Sequence, residues 1–288
     1  MKNRFPPSDG VVKAIVGALA AASLVLAAGC GGESTEAADP NRPPRHESPA
    51  RGSSVAPHPD EAERLVRAAE AKPQPAHLPA CDVKALAGGR ATYGAIVRRP
   101  TRALASPIGR SLARLDVRNE NGVPMVLGVL AVAECKERWY RVQLPMRPNG
   151  VVGWVRAADV RLRRVRTRIV VDLGDRTVTM RRDGRLVIHT TAAIGAPDTP
   201  TPTGRYYINQ RLVAPDPSGP FGPGAVGVSA FSPVLQHWIQ GGPIAIHGTN
   251  QPHLLGLAVS HGCVRIRNDV LVRLYRLADE GTPVEIRA

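Results

Sequence analysis

The stretch VSHGCVRIRN (259–268) places a histidine two residues before a cysteine and an arginine two residues after it. Just upstream, IAIHGTN (244–250) carries a second histidine, also followed by glycine. Cys263 is a packed thiol, half of a disulfide, a metal ligand or a nucleophile. A metal site needs three or four ligands at workable spacing. His247, His261 and Cys263, with His237 or His253 as extras, form no CxxC or HExxH pattern, so no metal is expected. An inert core cysteine fits poorly with a glycine directly before it and histidines nearby. A nucleophilic thiol needs a base, surroundings that favour thiolate, and N–H donors for an oxyanion. His247 is the expected base, with the Gly248 carbonyl orienting its other ring nitrogen. Gly262 allows close backbone approach, so the N–H groups around Gly262 and Cys263 are expected to face the oxyanion. Arg265 lies on the same face of an extended chain as Cys263, placed to stabilise thiolate or bind a carboxylate.

The rest of the chain supplies the setting. Its 288 residues suggest about two domains. With 4% aromatic residues, Val, Ile, Leu and Ala must fill the cores. A net charge of +14 suits an anionic partner such as a membrane or a wall polymer. No alternation of basic and aromatic residues marks a nucleic-acid platform, and none is expected as a partner. Lys2, Arg4 and Lys13 precede the apolar run AIVGALAAASLVLAAGC (14–30), which has the length of a signal-peptide core and is short for a membrane span. It ends in LAAGC, which resembles a bacterial lipoprotein signal with Cys30 as the acylated mature N-terminus. The expectation is an exported protein, lipid-anchored to the cell membrane and facing the wall. If Cys30 carries lipid, three of the four cysteines remain. Cys81 and Cys135 flank one apparent domain and are a candidate disulfide in an oxidising compartment. Cys263 then stands alone, and a lone exported thiol calls for a function.

Residues 1–30 read as the signal and 31–80 as a disordered Pro/Ala/Glu-rich tether, with a short helix at 60–72. Between 81 and 163 short β segments alternate with turns, and WYRVQLPMRPNGVVGWV (139–155) is a hairpin signal through its Pro and Asn-Gly. This part resembles a bacterial SH3-like barrel, with Trp139 and Trp154 near its core or mouth. From 166 to 288 a β meander leads through the Pro/Thr loop of TPTPTGRYYI (199–208) and a Gly/Pro-rich loop to the histidine strand. RNDVLVRLYRLADEG (267–281) reads as a helix capped by Asn268, with Val270, Leu271, Leu274 and Leu277 apolar and Gly281 closing it. The expected class is mainly β, a small barrel followed by a second mostly-β domain with one or two helices.

TPTPTGRYYI, IHGTN and SHGCVRIRNDV together resemble the L,D-transpeptidase catalytic domain, the YkuD-type fold. The resemblance implies a β-sandwich whose Cys263 attacks the acyl-donor stem peptide of peptidoglycan, with His247 as general base. Ser260, His261, Gly262 and Arg265 match the rest of the signature, with His261 at the oxyanion hole or the substrate pocket. Phe231, Trp238 and the loop PDPSGPFGPG (215–224) would shape the donor pocket. The implied partners are a donor tetrapeptide and an acceptor amine, the implied inhibitors are carbapenem-type β-lactams, and no cofactor is needed. Two other readings stay open on the residues alone. One is a different thiol acyltransferase or peptidase of the wall, such as a sortase, against which the missing TLxTC pattern counts. The other is a non-catalytic wall-binding lipoprotein.

Overall fold

The structure, a computed structural model, describes residues 81–86 and 92–288. The expected signal with Cys30, the tether and the helix at 60–72 lie outside the described residues. Among the described residues no helix is long and apolar enough to cross a membrane.

The first sheet holds β1 (Asp82–Ala85), β2 (Thr92–Val97), β3 (Thr101–Leu104), β4 (Ser111–Leu115), β5 (Val126–Glu134), β6 (Arg138–Gln143), β7 (Val152–Arg156) and β8 (Val160–Val165). Its order is β4-β3-β7-β6-β5-β2-β8, with β1 alongside β5. All of its pairings are antiparallel. β6 and β7 pair as a hairpin whose consecutive residues Trp139 and Tyr140, and Gly153, Trp154 and Val155, are buried. Trp139 pairs with Arg156 and Gln143 with Val152. Trp139 and Trp154 pack with Ala133 against Cys81 and Cys135, apart from the main core of this sheet. Those cysteines are bonded to each other and tie the start of β1 to the end of β5. Because the bond closes a 54-residue separation, replacing Cys135 by Ser is expected to cost about 4 kcal/mol. Denaturant unfolding of the two proteins measures this.

The second sheet runs β11-β10-β9-β18-β13-β14-β15-β17. Its strands are β9 (Thr167–Asp172), β10 (Thr177–Arg182), β11 (Arg185–Thr191), β13 (Gly204–Val213), β14 (Gly224–Phe231), β15 (Pro243–His247), β17 (Val264–Arg265) and β18 (Pro283–Arg287). A separate parallel pair joins β12 (Ile194–Gly195) to β16 (Ala258–Ser260). Helix α1 (Asn268–Leu277) covers β14 and β15 with Leu271, Leu274 and Tyr275 buried in the same core as Ile244 and Ile246.

The helix departs from its sequence reading at both ends. Arg267 occupies the cap position and no side chain caps the helix. The Asn268 side chain turns away and accepts the Thr249 N–H at 2.7 Å, because that loop N–H has no strand partner to satisfy it. The helix stops at Leu277, and Gly281 instead donates its N–H to the Ile208 carbonyl beside β18.

The two sheets pack on each other along β5 and β13. Tyr207, 2% exposed, crosses from β13 and donates its hydroxyl to the Val126 carbonyl at 3.2 Å. Arg163 of the first sheet and Arg211 of the second both bind Glu280, at 2.5 and 2.9 Å. These two guanidiniums hold the Glu280 carboxyl below its ordinary range against the opposing effect of burial.

Candidate active site

The site forms where β15 and β17 run parallel at the end of the second sheet. Ile246 faces Val264 and His247 faces Arg265 across the pair. In strands, residues two apart share a face, so Ala245 and His247 point the same way as Cys263 and Arg265. Residues far apart in the chain are thus brought together by a parallel register of two rungs.

His247 is 3% exposed and its Nδ1–H donates to the Gly248 carbonyl at 2.6 Å. That bond assigns the proton to Nδ1 and leaves Nε2 as a free base. Burial pulls the imidazole down to about 4, and the Arg265 charge acts in the same direction. The Phe221 ring lies 4.8 Å from the imidazole, so the loop 215–224 does wall this site. Gly248 has no room for a side chain: a Cβ there would meet Asn268 Oδ1 at 2.3 Å.

Cys263 is the free thiol among the described cysteines. Burial pushes it up, while the Ala245 backbone N–H and the Arg265 charge pull it down. Burial prevails, so the resting group is a thiol, and the expected thiolate-favouring surroundings are supplied only in part. Its Sγ lies 3.9 Å from the Pro243 carbonyl. Arg265 keeps its Nε buried without a hydrogen-bond partner, and Nη1 reaches Gln251 at 3.5 Å.

The turn before the thiol is tied down by hydroxyls. Ser260, 1% exposed, donates its Oγ–H to the Cys263 carbonyl at 2.5 Å and accepts the Gly262 N–H at 3.2 Å. The Gly262 N–H is therefore committed to Ser260 and is not the free oxyanion donor that the sequence suggested. Thr201 Oγ1 donates to the Gly262 carbonyl and accepts the Gly195 N–H, both at 2.9 Å. Thr199 Oγ1 donates to the Ser260 carbonyl at 3.0 Å. Gly262 itself has φ +105°, and a Cβ would stand 3.0 Å from Ile244 Cδ1. Gly262→Ala is expected to cost about 2 kcal/mol of stability and to slow Cys263 alkylation by misplacing the thiol. Thermal unfolding and alkylation kinetics read the two effects.

His261 is exposed and stands against Trp238, with ring centroids 5.1 Å apart. Phe231 lies instead at the junction of the two sheets, beneath Arg147. His237 and His253 are exposed on separate loops. Among the described residues no group of His, Cys, Asp or Glu converges as a metal site. Sequence reasoning missed Thr199, Thr201, Phe221 and the side-chain role of Asn268. The threonines were legible only as a rigid loop, since their partners lie about sixty residues away.

A thiol on the strand face that a buried neutral imidazole shares across the β15–β17 register, on a turn immobilised by hydroxyls, is equipped for acyl transfer through sulfur. Residues 166–286 match the model of the YkuD family, described as the L,D-transpeptidase catalytic domain. The YkuD protein of Bacillus subtilis (strain 168), which bears an L,D-transpeptidase name, is 36% identical over 118 residues, 41% of this chain and 64% of that protein. The Escherichia coli K12 protein YbiS, named likewise, is 38% identical over 90 residues, 30% of this chain and 26% of that protein. The chain thus spans somewhat less than two thirds of the Bacillus relative. A solved L,D-transpeptidase from Mycobacterium smegmatis is 18% identical, with TM-score 0.37, over 56% of this chain and 93% of that one.

Proposed function

We propose that this protein is a cysteine-dependent L,D-transpeptidase that cross-links peptidoglycan stem peptides. The observation that carries the reading is the buried pairing of β15 with β17, which sets His247 beside the strand that Cys263 enters. Cys263 Sγ attacks the carbonyl that precedes the terminal D-alanine of a donor tetrapeptide. As the S–C bond forms, its proton passes to His247 Nε2. The carbon–nitrogen bond then breaks and D-alanine leaves with that proton, giving a thioester. The side-chain amine of an acceptor stem attacks the thioester and gives up its proton through His247. The amide forms and the thiol is regenerated. With the Gly262 N–H engaged by Ser260, the Cys263 N–H is the donor assigned to the oxyanion in this scheme. Arg265, with a buried Nε lacking a partner, is assigned to a carboxylate of the stem.

Export through residues 1–30, lipid anchoring at Cys30 and a wall-binding, SH3-like role for residues 81–163 belong to the same proposal. They rest on the sequence pattern and the positive charge. Carbapenem-type β-lactams, as strained acyl donors, should acylate the same thiol. Intact-protein mass spectrometry after incubation with a stem tetrapeptide or a carbapenem tests the reading. It requires an adduct on Cys263 and, for the peptide, transfer to an added amine. A folded protein with a free thiol and no adduct from either compound would point to wall binding without catalysis.

A further inference from the structure

Arg147 and Asn149 sit in the turn between β6 and β7 of the first sheet, yet their side chains bind the second. Arg147 Nε donates to the Gly241 carbonyl at 3.2 Å and its Nη2 to the Ser232 carbonyl at 2.6 Å. The guanidinium also lies 5.5 Å from the Phe231 ring centroid. Asn149 donates to the Phe231 carbonyl and accepts the Phe231 N–H, both at 2.9 Å, as a neighbouring strand would. Among the described residues no carboxylate pairs with Arg147, so this partly buried charge is spent on two backbone carbonyls.

These anchors grip the neck of the loop that leaves β14 at Phe231 and returns at Pro243. Ser232 N–H closes the neck on the Gly242 carbonyl at 2.8 Å. At the far side Gln240 donates to Asn121 of the first sheet at 3.0 Å. The loop reaches the surroundings of the thiol through Trp238, whose ring lies tilted against that of His261, two residues before Cys263. It also leads directly into β15, where Pro243 and Ala245 present their backbone to the sulfur. Gly241 and Gly242 both have positive φ and Gln240 has φ +58°, so the loop's shape needs external support.

We propose that Arg147 and Asn149 are positioning residues through which the first sheet clamps the 232–242 loop and so sets the surroundings of Cys263. The clamp makes the upstream domain part of the site, beyond any role in binding the wall. Its significance for transfer rests on the function proposed above, but its physical test does not. The full chain, Arg147→Ala, Arg147→Lys and Asn149→Ala are alkylated with iodoacetamide across the pH range, and donor kcat and KM are measured in parallel. Loosening the loop admits water to a thiol that burial now holds up, so the alkylation midpoint should fall. At neutral pH the rate should rise roughly tenfold for each unit of that fall. Transfer kcat should drop with KM little changed, and Arg147→Lys, able to reach one carbonyl, should lie between. Variants with unchanged near-ultraviolet circular dichroism and an unchanged alkylation profile would overturn the clamp. If Arg147→Ala does not fold, Asn149→Asp decides, since it keeps the acceptor for Phe231 N–H and loses the donor. A shifted alkylation profile in a protein that transfers no peptide would retain the clamp and reject the transpeptidase reading.

Discussion

Cys263→Ala is expected to abolish transfer, with a loss on the order of 10⁶ in kcat. The size follows from the chemistry available. Without the sulfur no thioester forms, and the remaining groups offer only orientation and hydrogen bonds. Cys263 is the free thiol among the described cysteines, the other two being bonded, so no neighbouring sulfur can substitute. The substitution removes one atom of a half-buried residue and leaves the Ser260 bonds to the backbone of the turn in place, so thermal stability should change little. Tetrapeptide turnover followed by chromatography and mass spectrometry measures the loss. Residual transfer within tenfold of wild type would assign the nucleophile elsewhere.

His247→Ala should give the second largest effect, about 10³-fold in the acylation rate near neutral pH. The imidazole is pulled down to about 4 and the thiol is pushed up. At neutral pH both groups are therefore uncharged, and the proton must move as the S–C bond forms. Wild-type acylation should lose rate on the acid side only as pH approaches about 4. The alanine variant depends on spontaneous thiolate, so its rate should climb about tenfold per pH unit until the thiol ionises. The gap between the two should narrow as pH rises; a constant gap would mean that the pair is already ionised at rest.

The same burial links His247 to stability. Its folded value of about 4 lies below the ordinary 6.5, so between those values the unfolded chain binds the proton and the folded one does not. The contribution is complete above pH 6.5 and falls as pH drops toward 4, by about 3 kcal/mol in all. Denaturant unfolding of His247→Ala should show a flatter dependence over that window.

The chain order of residues was enough to single out His247, Gly248, Gly262, Cys263 and Arg265, because reactive residue types flanked by glycine are informative in a single strand and turn; Ser260 and His261 entered only through the resemblance to the L,D-transpeptidase catalytic domain. Turn chemistry, Pro and Asn-Gly, also exposed the hairpin at 139–155, and helical spacing the apolar stripe of α1, since both are local properties of the chain. The helix ends were misread for a physical reason. Asn268 has the side chain of a cap, but the unpaired N–H of Thr249 is the stronger local demand, and only folding brings it near.

What the sequence determined by itself is therefore the kind of chemistry: a lone thiol, a candidate base and a glycine turn. The tertiary structure decided how those groups are charged and held. Burial makes the imidazole a weak base and the thiol a weak acid, and desolvation cannot be read from residue identity. Thr199 and Thr201 reach the turn across about sixty residues, and Arg147 reaches the loop beside Cys263 across 85 residues to Ser232. Such contacts have no periodicity or spacing to announce them, because they exist only once two sheets have packed.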